Sequence, residues 1–355
     1  MFRPLLIVLL LCGLAPGLWL RTGVAPRSHE QELTIKALPL ASGGHRIGPF
    51  QLEAAWQLTS RNTDFGGYSS LIRKDPGRML AFSDRGYFLD FSEPGIGTGP
   101  VRMGASIGDK RLLKDNRDVE AATFDPVTRR IWLALEARNA IVVRDEQLTR
   151  QTLVAPVAMK NWPKNAGPEA MVRLRDGRFI VLAEAFSGWL GGELHPAVLA
   201  AGDPTEGVQP ERFTFAGPDG FRPTDMAQLP DGRVLVLMRR VVWPIPLETD
   251  GRIVLADPEE LRAGRVWRGK VLARLERPLP VDNFEAIAID GAKDGTITVW
   301  LLSDDNGAAS QRTLLWRMRL DPTLLPPTAS APVPAATKDK QKAHDPLVRP
   351  AKVQS

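Results

Sequence analysis

The sequence contains a single cysteine, Cys12, which lies in an apolar stretch near the N-terminus. The rest of the chain therefore forms no disulfide, uses no thiol chemistry, and must be stabilised by burial of apolar side chains. Histidine is also scarce, and the four are His29, His45, His195 and His344. Only His195 falls well inside the chain, and its Gly and Pro neighbours predict a loop. The sequence thus argues against a Ser-His-Asp triad and against a histidine-based zinc site.

Positive charge is concentrated at the two ends of the chain, although the formal net charge is +5. Residues 1–36 carry two more basic than acidic residues and residues 322–355 carry three more, which accounts for the whole excess. Residues 37–321 are therefore close to neutral. A nucleic-acid interface requires a basic patch on the folded domain, so we expect no nucleic-acid partner.

The ends also differ from the middle in composition. A basic residue followed by an apolar stretch at 5–20 is typical of an export signal. The C-terminal segment is rich in Pro, Ala and Lys and lacks aromatic residues, which indicates disorder. We expect a signal peptide or membrane anchor with a linker at 1–36, a folded domain at 37–321, and a disordered tail at 322–355. The domain is expected to act as a monomer in the periplasm or outside the cell, and to meet the membrane only through an uncleaved anchor.

Five segments share one pattern: a polar or glycine start, a short apolar strand, a D-P or D-G turn, and a more apolar strand. They are residues 65–86, 116–139, 165–186, 222–240 and 282–306. Asp-Gly between apolar runs is a strong hairpin signal, and repeats of about 50 residues with several strands each are typical of β-propellers. The apolar spacing of a helical solenoid is missing. The sequence predicts an all-β fold, a β-propeller of five or six mostly four-stranded blades.

The blade count depends on two poorly patterned stretches. A sixth, degenerate blade would lie in residues 87–115 or 187–221. Ring closure gives a further expectation, because propellers commonly join both chain ends in one blade. Residues 48–58 should then pair with residues 311–320.

Acidic residues stand at the start of most repeats. When the repeats are aligned, the equivalent positions are Gly67, Glu120, Glu169, Asp225 and Glu285. Residues equidistant from a hairpin turn are neighbours, so the ends of the second strands should lie beside these positions. The predicted neighbours are Asp84, Glu136, Glu184, Arg239 and Asp304. Because the first strand of each blade lines the channel, the acids should converge at one mouth of the channel.

Converging carboxylates repel one another and favour either protonation or a bound cation. Calcium accepts about six to eight oxygen ligands in flexible geometry. We therefore predict a calcium site with the ligands Glu120, Glu169, Asp225 and Glu285. Two alternatives stay open, acid–base catalysis without a metal and structural ion pairs. The possible partners in such pairs are Arg117, Arg138, Arg222 and Arg239.

Three groups of motifs carry a resemblance: "FGGYSSL" with "FSDRG", "PEAMV" with "DGRFIVLAE", and "DNFEAIAI" with "LLSDDN" and "QRTLL". Across residues 50–320 the chain resembles the phytase-like domain family, exported bacterial proteins described by an "esterase-like activity of phytase". The resemblance implies a propeller related in architecture to calcium-dependent alkaline phytases, whose acidic mouth holds calcium ions that bind phosphate. The chain departs from a full carboxylate ring at Gly66 and Gly67, and the fourth repeat uses Asp225, which leaves room for fewer metal ions.

As an enzyme, such a protein would perform metal-assisted hydrolysis of a phosphate or carboxylic ester in a small or oligomeric substrate. Guanidinium groups clamp phosphate oxygens, and the candidates are Arg85, Arg138, Arg239 and Arg312. A carboxylate would act as general base on water, and the candidates are Asp84, Glu184 and Asp304. The rival hypothesis is a non-catalytic exported propeller that binds a glycan, a peptide or an envelope partner at the same mouth.

Overall fold

The computed structural model describes residues 27–40, 45–96, 99–107, 117–149, 151–188, 192–242, 248–291, 295–308 and 311–328. The apolar N-terminal stretch and most of the proposed tail lie outside these residues. Among the described residues no helix is long and apolar enough to cross a membrane. The chain divides into two units after Leu325, and the second unit, Pro326–Ser355, is described only as far as Thr328.

Antiparallel strands form five separate sheets, each of which is one blade. Blade 1 consists of β4 (Tyr68–Asp75), β5 (Arg78–Ser83), β6 (Tyr87–Ser92) and β7 (Arg102–Ala105). Blade 2 consists of β8 (Val119–Asp125), β9 (Arg130–Leu135), β10 (Ala140–Asp145) and β11 (Gln151–Val154). Blade 3 consists of β12 (Pro168–Arg173), β13 (Phe179–Ala183), β14 (Leu194–Ala200), β15 (Glu211–Ala216) and, in parallel with β15, β19 (Val266–Arg268).

The last two blades follow the same order from the channel outwards. Blade 4 consists of β16 (Arg222–Gln228), β17 (Val234–Val242), β18 (Glu248–Ala256) and β20 (Lys270–Leu275). Blade 5 consists of β21 (Phe284–Gly291), β22 (Ile297–Ser303), β23 (Thr313–Leu320), β3 (Phe50–Thr59), β1 (Thr34–Ala37) and β2 (His45–Ile47). The described helical segments are single 3-10 turns at Glu136–Arg138, Val157–Met159, Pro204–Glu206, Pro258–Glu260 and Pro322–Leu324.

The hairpin signals in the sequence have a direct physical basis. In the D-G turn at 176–177, Asp176 Oδ1 accepts a hydrogen bond from Arg178 N at 3.0 Å. Gly177 has φ of 93°, a conformation that other residues rarely adopt. The turn therefore reverses the chain between β12 and β13 without strain.

The inner strands contact one another in the cyclic order β4, β8, β12, β16, β21 and back to β4, so the five blades close into a propeller ring. The stretches in which a sixth blade was considered supply outer strands instead. Residues 87–115 contribute β6 and β7 to blade 1, and residues 187–221 contribute β14 and β15 to blade 3.

The predicted closure is confirmed. Strand β3 pairs antiparallel with β23, with Trp56 opposite Leu315, so the two ends of the domain share blade 5. The Trp56 ring also stacks on Trp300 of β22, with ring centroids 6.1 Å apart.

The core lies between blades rather than around one centre. Each of five clusters of buried apolar side chains joins two adjacent blades. Between blades 4 and 5, for example, Leu237 and Ile253 pack in one cluster with Phe284 and Trp316. Burial at these five faces supplies the stabilisation that disulfides cannot supply here.

Each inner strand carries a β-bulge near its start, where one extra residue interrupts the pairing with the second strand. The five bulge residues, which we call the bulge ring, are Ser69, Glu120, Glu169, Thr224 and Glu285. The predicted alignment was therefore right for three repeats and wrong for two. Ser69 takes the place assigned to Gly67, and Thr224 takes the place assigned to Asp225. Thr224 and Asp225 are adjacent, and a shift of one residue moves a side chain to the opposite face of the strand, which sequence spacing alone does not reveal. Gly67 precedes β4 and lies two residues before the bulge at Ser69.

Candidate functional site

The open ends of the inner hairpins lie together at one mouth of the channel. Five residues at the ends of the second strands, which we call the strand-end ring, are Asp84, Glu136, Glu184, Arg239 and Asp304. Four of them donate a backbone hydrogen bond to the start of their own blade: Asp84 N to Gly67 O (3.0 Å), Glu136 N to Asp118 O (3.0 Å), Glu184 N to Gly167 O (2.9 Å) and Asp304 N to Asn283 O (2.8 Å). In blade 4, Arg239 pairs with Arg222. The predicted meeting of strand starts with strand ends is confirmed in blades 1, 2, 3 and 5. In blade 4 the predicted neighbours Asp225 and Arg239 are not opposite each other, because Asp225 pairs with Leu237.

Two of the three carboxylates of the bulge ring are buried, and the third, Glu120, is half-buried. Glu169 is 7% exposed and Glu285 is 5% exposed. Burial is the largest cause that raises the pKa of Glu120, Glu169 and Glu285. Like charges raise the pKa of Glu120 and of Glu169 further, since Glu169 acts on Glu120 and Glu184 acts on Glu169. The mouth thus favours protons or a cation over a set of bare carboxylates.

Arg239 neutralises the side of the mouth formed by blades 3 to 5. Its Nε lies 2.7 Å from Glu285 Oε1, and its Nη2 lies 3.5 Å from Glu184 Oε1. Burial opposes the charged guanidinium, but Glu285, Glu169 and Glu184 outweigh this effect and raise the pKa of Arg239. Arg222 Nη1 adds a second contact, 2.9 Å from Glu184 Oε2. On this side, the alternative of structural ion pairs matches the contacts.

The side of the mouth formed by blade 2 presents a cluster of three acids. Ligand oxygens of Asp118, Glu120 and Glu136 all lie within 4.8 Å of one another. Among the described residues this is the one group of three acidic, histidine or cysteine side chains arranged closely enough to share a metal ion. Asp118 and Glu136 were not assigned as ligands from the sequence. Their signal was present, because Asp118 stands two residues before Glu120 and Glu136 is its hairpin neighbour.

The other predicted metal ligands have different surroundings. Both oxygens of Asp225 accept backbone hydrogen bonds, from Met226 N at 2.8 Å and Ile287 N at 2.9 Å, so this acid ties blade 4 to blade 5. Burial raises its pKa well above the usual value, although the two N–H groups act against the shift. Glu285 accepts a hydrogen bond from Asn283 Nδ2 at 2.7 Å, in addition to its contact with Arg239.

Among the predicted metal ligands, Glu169 has a carboxylate oxygen that remains available to a cation. Its Oε2 atom is buried and has no hydrogen-bond partner among the described residues. Buried polar atoms almost always have a partner, so this oxygen is available to interact with a bound group. Glu169 therefore stays a candidate that adjoins the blade 2 cluster.

Three of the four predicted substrate-binding arginines have surroundings that differ from those of Arg239. Arg85 donates to the backbone oxygens of Thr63, Phe65 and Gly66, so it fixes the loop before blade 1. Arg312 Nε donates to Asp282 Oδ2 at 3.3 Å. Arg138 is exposed at the end of the 3-10 turn Glu136–Arg138.

The predicted general bases Glu184 and Asp304 also differ from each other in their surroundings. Glu184 is engaged by Arg222 and Arg239, as described above. Asp304 is buried, and burial raises its pKa well above the usual value, with a further contribution from Glu285. One of its oxygens accepts a hydrogen bond from Asn306 N at 2.7 Å.

Asp84 lies against the Gly-Gly start of blade 1. A Cβ atom added to Gly67, which has φ of 69°, would lie 2.5 Å from Asp84 Oδ1. A Cβ atom on Gly66 would lie 2.8 Å from Asp305 Oδ2. The Gly-Gly pair therefore allows two acids, Asp84 and Asp305, to approach the start of blade 1.

His195 lies in strand β14, and the prediction of a loop was wrong. The side chain is fully buried, and its two ring nitrogens lie 3.0 Å from Ala185 O and 3.0 Å from Phe221 O. Ala185 directly follows Glu184 in the sequence, and Phe221 directly precedes Arg222. His195 thus connects two segments that deliver charged side chains to the mouth, and it is not available as a triad base.

A G-x-S-x-G sequence at 104–108 also does not form a nucleophile site. Its Ser106 follows the outer strand β7 of blade 1 and is fully buried. The Oγ atom has no hydrogen-bond partner among the described residues, so no described base activates it.

The fold and the site define a five-bladed β-propeller with a carboxylate-lined mouth that offers oxygen donors to a cation. A family model described as "Phytase-like: Esterase-like activity of phytase" matches residues 63–307. The chain belongs to this family, and the assignment fits a hydrolase. A comparison with curated proteins found no match.

Solved structures with similar folds include several propellers of other kinds. A gluconolactonase from Xanthomonas campestris matches with a TM-score of 0.40 and 15% identity, covering 84% of this chain and 99% of that one. A luciferin-regenerating enzyme matches with a TM-score of 0.39 and 13% identity, covering 81% and 95%. A chain of a nidogen/laminin complex matches with a TM-score of 0.42 and 11% identity, covering 80% and 96%. Likenesses this distant do not bear on the activity.

Proposed function

We propose that this protein hydrolyses a phosphate or carboxylic ester at the acidic mouth, with a calcium ion held by Asp118, Glu120 and Glu136. The observation that carries the proposal is the approach of these three carboxylates within 4.8 Å of one another. It occurs at the channel mouth of a domain whose family is described by an esterase-like activity.

The residues present fit a hard divalent cation. All donors in the cluster are carboxylate oxygens, the ligand type that calcium prefers. The pKa of Glu120 is raised by burial and then by neighbouring acids, and a cation would remove both penalties. The partnerless Oε2 of Glu169 is a further donor for the ion or for water bound to it. When bound, calcium would neutralise a substrate anion and lower the pKa of a coordinated water.

The chain's own residues contribute proton transfer and positioning. We assign Asp304 as the group that takes up or returns the proton, because burial holds its pKa above the range of an ordinary aspartate. A carboxyl with a raised pKa accepts and holds a proton more readily than an ordinary aspartate, which suits proton transfer to and from a substrate. Arg239 holds Glu285 and Glu184 in place and is assigned to positioning.

The proposal extends to the setting in which the enzyme works. The apolar stretch at 5–20 supports export to the periplasm or the medium, with anchoring in the inner membrane as the alternative if the signal is retained. We propose a monomer that acts on a small or oligomeric ester.

The test is product release from a panel of phosphate and carboxylic esters, measured with calcium and with EDTA. We expect turnover by the wild type only with calcium, and loss of at least about a hundredfold in Glu120→Gln. Glu211→Gln, which changes an exposed acid on an outer strand, is the matched control and should retain activity. Calcium binding without turnover of any ester would favour the rival hypothesis of a non-catalytic binding protein.

A further inference from the structure

A cavity of about 450 Å³ lies between the 3-10 turn Glu136–Arg138 and the loop at 155–167. Three of its lining residues are cations: Arg138, Lys160 and Lys164. The described lining residues include no acid. None of the three charged side chains forms an ion pair or hydrogen bond within the described part of the chain, so a bound anion would relieve their mutual repulsion.

The cavity opens on the same face of the propeller as the acidic mouth. Strand β11 ends at Val154, which pairs with Ile141 at the start of β10. The 3-10 turn comes just before β10, so the loop leaves β11 beside this turn. The turn places Glu136 in the acid cluster and Arg138, two residues later, in the cavity. The cavity and the proposed metal site are therefore neighbours.

The loop that carries the two lysines is fixed to the propeller. Trp162, 8% exposed, packs in the cluster between blades 2 and 3. Its carbonyl accepts a hydrogen bond from Asn139 Nδ2 at 2.8 Å. From the outer side, Arg212 Nε donates to Ala158 O at 2.8 Å. The cations are thus presented by a constrained loop rather than by a free one.

The cavity also has an apolar wall. Pro156, Trp162 and Val157 line it, and Val157 is 68% exposed. The volume is in the range of small-molecule sites, which combine apolar lining with a few polar groups. Inorganic phosphate alone would leave this wall in contact with water.

We propose that this cavity binds a small organic anion, a phosphate monoester or a carboxylate, whose charged group lies among Arg138, Lys160 and Lys164. Its apolar part lies against Pro156, Val157 and Trp162. This is a binding site separate from the acid cluster, and it does not depend on whether the mouth hydrolyses esters.

The test is calorimetric titration in EDTA, so that metal at the mouth does not contribute. The probes are phenyl phosphate, benzoate, phenol and inorganic phosphate. We expect phenyl phosphate or benzoate to bind, and the one that binds more tightly identifies the anionic group. Phenol and inorganic phosphate should bind at least about tenfold more weakly, because each lacks one half of the recognised ligand. Affinity for the anionic probe should fall as salt is added.

Two triple variants, which lower the net charge by the same amount, distinguish binding in the cavity from a general effect of net charge. Arg138→Gln, Lys160→Gln and Lys164→Gln together should weaken binding at least about tenfold. The control replaces by glutamine three exposed cations on outer strands, Lys36, Lys270 and Arg274, and should bind as the wild type does. Equal losses in both triples, no binding of either organic anion, or equal affinity for phenol or inorganic phosphate would overturn the assignment. Because no turnover is measured, this result is independent of the hydrolase proposal.

Discussion

At the scale of single residues, the mouth is divided by one arginine. Arg239 contacts Glu184 and Glu285, whereas Asp118, Glu120 and Glu136 come together within blade 2. A symmetric ring of equivalent acids therefore does not describe this mouth. One side resembles a structural ion-pair network, and the other side has the oxygen donors of a cation site.

The raised pKa of Glu120 leads to a prediction about pH. A carboxyl whose pKa is higher in the folded than in the unfolded protein stabilises the fold at low pH, and this stability is lost as pH rises through the folded pKa. In EDTA, the melting temperature should therefore fall as the pH is raised above the range in which an ordinary glutamate titrates. Added calcium should remove the fall, since the ion replaces the proton. Glu120→Gln should flatten both the pH dependence and the calcium effect, and a rise of the EDTA melting temperature over this range would contradict the account.

Arg239 gives a second prediction. Arg239→Met removes the guanidinium partner of Glu285 and one of the two guanidinium groups that contact Glu184, which keeps Arg222. Loss of one member of a buried pair costs about 3–5 kcal/mol of unfolding free energy. Urea unfolding at neutral pH measures the loss. The double variant Arg239→Met with Glu285→Gln should recover part of the stability, because one of the stranded charges is also removed. A single variant as stable as the wild type would show that the ion pairs do not matter for folding.

At the scale of strands and turns, the bulges decide which side chains form the site. Each inner strand has its bulge near the start, and the residue at that place is a carboxylate in blades 2, 3 and 5. A bulge re-aims a side chain locally, which a repeat alignment cannot anticipate. Counting from the D-P and D-G turns located Glu120, Glu169 and Glu285 correctly, but it selected Asp225 where Thr224 occupies the bulge.

The Gly-Gly start of blade 1 supports a prediction with a matched control. Gly67→Ala would introduce a side chain at positive φ and place its Cβ against Asp84 Oδ1. Gly232→Ala, in a hairpin turn with φ of 96°, meets no atom within 4 Å. Both variants lose about 1–2 kcal/mol from backbone strain, and only Gly67→Ala should lose more, because its Cβ must displace Asp84. Equal losses measured by urea unfolding would contradict the placement of Asp84.

At the scale of the whole molecule, most of the architecture was predictable, whereas the acid cluster was not. Alternating apolar residues and D-G turns are local signals, so the propeller followed from the sequence, and its closure by residues 48–58 followed from the way propellers join their chain ends. The cluster of Asp118, Glu120 and Glu136 depends on how a bulge and a 3-10 turn orient three side chains in one blade. Such geometry is set by tertiary packing and leaves only weak traces in spacing.

Closure of the ring gives the prediction for the whole fold. A chain that starts at residue 61 lacks β3 and exposes the edge of β23, together with apolar side chains of blade 5 such as Trp316. An open edge of this kind promotes aggregation, so we expect no soluble monomer in sedimentation velocity. A chain that starts at residue 27 keeps β1 to β3 and should unfold cooperatively. A soluble, cooperatively folded product from the shorter chain would contradict closure through blade 5.

The central claim is that calcium binds to the acids of blade 2 at the mouth. A crystal structure of the protein grown with calcium, with an anomalous difference map, tests it most directly. The account predicts an ion bound by Asp118, Glu120 and Glu136, with Glu169 directed towards it or its water. An ion bound elsewhere in the mouth, or a mouth without an ion at saturating calcium, would contradict the account.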